Sequence, residues 1–121
     1  MVVYGKERGF LMTVGASAEI AKRCPEHRLE NWAAMLRDGG DAETIEHRAA
    51  LICILNKGYE LNRQYMEPGY TAEPLTAEAV LALPSEVFLA LLNEALKATN
   101  PKREIETEPI KKNTVTAEKQ V

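Results

Sequence analysis

Ala49-Ala50-Leu51-Ile52-Cys53-Ile54-Leu55 is apolar on every side of a helix. A helix that is hydrophobic all round is buried on most of its sides. The run lies inside a longer stretch of helix formers, about 42 to 66, preceded by Asp41, a good N-cap. Glu43 stands in the first turn, facing the positive end of the dipole. The longest helix therefore sits at the centre, and the other segments must pack around it. Gly58 inside that helix costs about 1 kcal/mol against Ala, so it implies either a close neighbour or a bend.

On the N-terminal side, Leu29, Trp32, Ala33 and Leu36 give an apolar face to a helix at about 27 to 38, broken by Asp38-Gly39-Gly40. Ala16, Ile20 and Cys24 give a stripe at spacing four to a helix at about 16 to 24, ended by Pro25. Val2-Val3-Tyr4 and Phe10-Leu11-Met12-Thr13-Val14 read as two short strands joined by the polar loop Gly5-Lys6-Glu7-Arg8-Gly9. A lone hairpin is marginal in water, so it must pack on helices or on another chain.

On the C-terminal side, Glu67-Pro68-Gly69-Tyr70-Thr71-Ala72-Glu73-Pro74 reads as a loop. Thr76 caps a short helix to about Leu83, with Leu75 and Val80 placed as a hydrophobic staple. Pro84 and Ser85 open a last helix whose stripe is Val87, Phe88, Leu91, Leu92, Ala95 and Leu96, stopped by Asn100-Pro101. Residues 101–121 are different. Nine of these 21 residues are charged, none is aromatic, and the four Ile and Val are scattered. Such a segment buries too little apolar surface to offset its ordering entropy. The fold class is mainly α: a short N-terminal β-hairpin, a compact bundle of about five helices over residues 1–100, and a disordered charged tail over 101–121.

Length allows one domain. A net charge of −3 argues against a protein that holds a nucleic-acid backbone. Residues 67–100 carry five Glu against one Lys, so this part favours a basic or neutral partner. Cys24 and Cys53 lie among helix formers and read as buried reduced thiols, which favours an intracellular setting. The chain has no run of 18 apolar residues and no basic segment leading an apolar one at its start. It reads as soluble, neither secreted nor membrane-spanning.

No set of groups reads as catalytic. Ser17 follows Gly15-Ala16 at a helix start, but a capping role explains it, and no base and orienter accompany it. Gly39-Gly40 lacks the Lys-Ser or Lys-Thr of a phosphate loop. Cys24-Pro25-Glu26-His27 has a spacing zinc could use, but His47 and Cys53 lie about 240° apart on one helix and cannot complete it. Cys53 reads as core, His27 and His47 as solvated. Lys22, Arg23, Arg28 and Arg37 alternate with Glu19, Glu26, Glu30 and Asp38, which cancels the field a DNA-binding helix pair would need. The reading carries no enzyme, cofactor or metal. Tyr59, Tyr65, Met66 and Tyr70 cluster where the long helix meets the Pro-Gly loop. Tyr and Met favour interfaces, so these four are the candidate partner contact, although capping of the core accounts for them too.

The order of features has a counterpart. Phe10-Leu11-Met12-Thr13-Val14-Gly15-Ala16-Ser17-Ala18-Glu19-Ile20 is followed by Leu55-Asn56-Lys57-Gly58-Tyr59-Glu60, Glu67-Pro68-Gly69-Tyr70 and Leu75-Thr76, and then by the charged segment 106–113. This resembles the small tail assembly chaperones of long-tailed (siphovirus-type) phages and prophages of Gram-positive bacteria. The resemblance implies an assembly factor of the bacterial host cytoplasm, absent from the mature virion. It implies binding to the tape measure protein, whose apolar helices are kept soluble, and recruitment of the major tail protein. Homo-oligomerisation stays open. Such families also make a longer form by ribosomal frameshifting, and Lys111-Lys112-Asn113 can be encoded as the run of A that slippage needs. A small helical regulatory or adaptor module, with a link to nucleic acid as one form of it, is the other reading.

The tail contains no periodic apolar segment, so deleting residues 102–121 is expected to leave stability and unfolding cooperativity close to those of the full chain. Urea denaturation of the truncated protein checks this, and an insoluble or molten product would contradict it.

Overall fold

The computed structural model describes residues 1–37 and 40–99. The expected break at Asp38-Gly39 and the expected tail at 101–121 fall outside them. In chain order the elements are β1 (Val2–Val3), β2 (Lys6–Glu7), α1 (Val14–Arg23), α2 (Trp32–Met35), α3 (Ala42–Met66), α4 (Ala77–Leu81) and α5 (Ser85–Ala98), with 3-10 turns at Pro25–His27 and Leu29–Asn31 before α2. The protein is mainly helical, with a two-stranded antiparallel N-terminal hairpin.

α3 is the axis. The Asp41 carboxylate accepts from the Thr44 amide at 2.8 Å, the cap expected from sequence. α1 packs on one side of the helix and α4 and α5 on another. Ile52 and Leu55 are fully buried between them, as are Leu91 and Val80. Ala16, Ile20 and Cys24 close the core from α1, and Leu91, Leu92 and Ala95 close it from α5. Leu75 and Val80 flank the Thr76 cap, both buried, so the expected staple is present. None of the helices among the described residues is long and apolar enough to cross a membrane.

Three local expectations differ from the structure. The hairpin is shorter and its second strand lies earlier, pairing Val2 with Glu7 and Val3 with Lys6. Tyr4 and Gly5 make the turn, both with positive φ. Phe10 to Thr13 joins no strand among the described residues, because its backbone is drawn onto α3. The Leu11 amide donates to the Leu55 carbonyl at 3.0 Å.

The second difference is the cap of α1. Thr13, not Ser17, is the N-cap, its hydroxyl accepting from the Ala16 amide at 3.0 Å.

The third is the expected helix at 27–38, which is broken. Glu26 and His27 adopt positive φ, and only Trp32–Met35 is α-helical. The reversal after Pro25 lays Leu29, Trp32, Met35 and Leu36 against the core, while Ala33 is exposed. Arg48 of α3 then takes the Leu36 carbonyl through Nε at 3.1 Å and Nη2 at 2.6 Å, ending α2.

Gly58 is the close approach anticipated within the long helix. A Cβ there would lie 2.6 Å from the Leu11 carbonyl oxygen. Gly58→Ala gains about 1 kcal/mol of helix propensity but drives a methyl into backbone, where overpacking costs about 1–3 kcal/mol. A net loss of stability is expected in urea denaturation, and a stabilised variant would show that the N-terminal segment does not lie on α3.

Candidate partner-binding site

Asn56, Glu60 and Gln64 recur at spacing four on α3 and form a polar stripe along one face. Each accepts a backbone amide from the segment after the helix. Asn56 Oδ1 takes the Leu75 amide at 2.8 Å, Glu60 Oε1 the Glu73 amide at 2.9 Å, and Gln64 Oε1 the Ala72 amide at 2.9 Å. The connecting segment thus runs back along α3 in an extended form, its donors satisfied by side chains and not by a sheet. Asn56 also donates through Nδ2 to the Gly9 carbonyl at 2.9 Å, so one buried amide holds both the segment before the helices and the segment after α3.

Glu60 is fully buried. Its Oε1 also accepts from Lys6 Nζ at 3.0 Å and from the Tyr70 hydroxyl at 2.7 Å, while Oε2 is buried with no hydrogen-bond partner among the described residues. Burial pushes the carboxyl pKa up, but the Glu73 amide, the Tyr70 hydroxyl and the Lys6 ammonium outweigh it and hold the pKa below the usual carboxylate value. The Tyr70 hydroxyl leads the causes that raise the Lys6 pKa. Lys6 and Arg63 both stand over the Tyr70 ring, 4.6 and 4.2 Å from its centroid. Arg8 ties the hairpin to the same segment, donating to the Val3 and Glu73 carbonyls at 3.1 and 2.6 Å. Tyr4 donates its hydroxyl to the Ala79 carbonyl of α4 at 2.7 Å.

The four residues expected as one partner contact are therefore divided. Tyr70 is half-buried and serves the Glu60 network. Tyr59 is half-buried under the N-terminal segment, where a Cβ on Gly9 would lie 2.5 Å from its ring. Tyr65 and Met66 are 87% and 72% exposed at the end of α3. Leu61, also exposed, precedes Tyr65 by one turn on the same face. An exposed apolar group of Leu61, Tyr65 and Met66 is what remains of the cluster. The Asn56, Glu60, Gln64 stripe was missed at the sequence level. The spacing of four was the available signal, but Lys57, Asn62 and Arg63 on the same stretch of helix hide it among other polar residues.

His47 corrects a further expectation. It is partly buried, not solvated, with Nδ1 buried and without a hydrogen-bond partner among the described residues, and Nε2 3.8 Å from a Glu43 carboxylate oxygen. Cys53 packs against the core, and burial pushes its thiol up to about 11. Among the described residues no three His, Cys, Asp or Glu are grouped so as to hold a metal ion. No protein-family model matches this chain, and no curated protein or solved structure matches it either.

A carboxylate whose folded pKa is lowered stabilises the fold above its unfolded pKa, and that stability is lost as pH falls through the folded value. Glu60→Gln is expected to cost about 1–3 kcal/mol near neutral pH and to flatten the loss of stability below about pH 5. Urea midpoints measured across that range check this, and parallel pH profiles for the variant and the parent would contradict it.

Proposed function

We propose that the protein is a tail assembly chaperone of a long-tailed phage or prophage, a non-catalytic factor that binds the tape measure protein in the host cytoplasm and helps assemble the tail tube. The order of features along the chain supports the reading. The observation that carries it furthest is the exposed apolar group of Leu61, Tyr65 and Met66 on the last turns of a helix whose remainder is anchored in the core. Solvated apolar side chains on a rigid support suit a protein that shields the apolar helices of another chain. The half-buried Tyr59 and Tyr70 act in this reading as the support that fixes the end of α3, not as contact residues.

The test is to read the neighbouring gene, which is expected to encode a tape measure protein, and to co-express its product with this chain, measuring the soluble fraction of that partner. The intact chain is expected to raise it severalfold and to co-purify with it. Tyr65→Ser with Met66→Ser should reduce the rescue while leaving the melting temperature within a few degrees, since both sites are exposed. A tape measure protein equally soluble with and without the chain would refute the proposal.

A further inference from the structure

An open groove of about 280 Å³ lies between α3, α4 and α5. Its apolar lining is Ile45, Val80, Leu81, Leu83, Phe88 and Leu89. Val80 is fully buried, whereas Ile45, Leu81 and Leu89 are 39%, 51% and 50% exposed. The groove is far from featureless in charge. Arg48 lines it. Its Nε and Nη2 donate to the Leu36 carbonyl, and among the described residues Nη1 has no hydrogen-bond partner and no carboxylate pairs with the side chain. Ser85 also lines it, and Ser85 is the first residue of α5, whose N-cap Pro84 supplies no side-chain cap. The positive end of a 14-residue helix therefore opens beside the groove. Glu86 of the same turn is exposed and does not line it.

We propose that this groove docks an amphipathic helix of a partner protein, one whose apolar stripe is bordered by a carboxylate. The volume suits a pair of aliphatic anchors spaced at i and i+3 or i+4. The Arg48 guanidinium, hydrogen-bonded to a carbonyl but paired with no carboxylate among the described residues, and the end of α5 that lacks a side-chain cap both favour a carboxylate next to those anchors, and a lysine there would face like charge. The five Glu of residues 67–100 set the sign of the wider field, but the groove lining is locally positive and selects what sits in it. The proposal rests on the reading of the chain as a partner-binding protein and adds a second contact, separate from the Tyr65 end of α3.

The experiment is an NMR titration of the full chain with two synthetic helical peptides of about four turns, long enough to hold some helix in water. Both carry Leu at i, i+3, i+4 and i+7, one flanked by Glu and the other by Lys. The Glu peptide should shift the amide signals of residues 45, 48 and 81–89 and bind about tenfold more tightly than the Lys peptide. Leu89→Glu and Leu81→Glu, at half-exposed sites where folding is retained, should each abolish binding, and Arg48→Gln should remove the preference for Glu. Four results overturn the proposal: equal binding of both peptides; shifts at Tyr65 and Met66 or nowhere; groove signals that move with protein concentration alone, which means a second copy sits there; or groove signals that move when residues 100–121 are deleted, which means the chain's own C-terminal segment does. Loss of peptide binding alongside intact rescue of the tape measure protein defeats the groove alone. Peptide binding without rescue defeats only the chaperone reading.

Discussion

The structure depends on how α3 satisfies the polar backbone of two segments that have no sheet to join. Asn56, Glu60 and Gln64 stand in place of a neighbouring strand, and each accepts an amide from the segment that follows the helix. The Leu75 amide is buried, and without an acceptor it would cost more than its hydrogen bond contributes. The stripe therefore decides where residues 70–75 lie, and through them where Leu75 and Thr76 start α4. The fully buried Glu60 is tolerated because three donors converge on one of its oxygens.

The N-terminal segment is held on the same helix by complementary means. Gly58 removes the side chain that would block Leu11, and Gly9 removes the one that would meet the Tyr59 ring. Close backbone approach then lets the Leu11 amide reach the Leu55 carbonyl and the Gly9 carbonyl reach Asn56. Lys6 carries the hairpin to Glu60. A two-stranded hairpin too small to stand alone becomes part of the body because its charged and backbone groups are used by α3 and by the segment at 70–75.

These anchors also divide the aromatic side chains between the body and the solvent. They draw Tyr59 and Tyr70 partly inward and leave Tyr65 and Met66 exposed at the end of α3. On the other side, α4 and α5 meet α3 over Val80 but leave Leu81 and Leu89 half in solvent. The proposed contacts thus lie on elements whose other faces are in the core, the arrangement that holds a binding surface in shape at low entropic cost.

The mainly helical class, the central helix with its Asp41 cap, the Thr76 cap with its staple and the stripe of α5 were legible in the sequence, because each rests on local chemistry or on a short period that packing only has to accept. The break after Pro25 was not, since it follows from burying Trp32 and Leu36 and from Arg48 taking a carbonyl twelve residues away. Nor was the fate of Phe10 to Thr13: a β-prone run is extended in either case, and only the glycine opposite it on α3 makes a helix its neighbour. The tyrosines show the same limit. Their proximity in sequence was visible, but which of them face the protein and which face water was decided by Gly9, Lys6 and Glu60, which lie near them only in the folded chain.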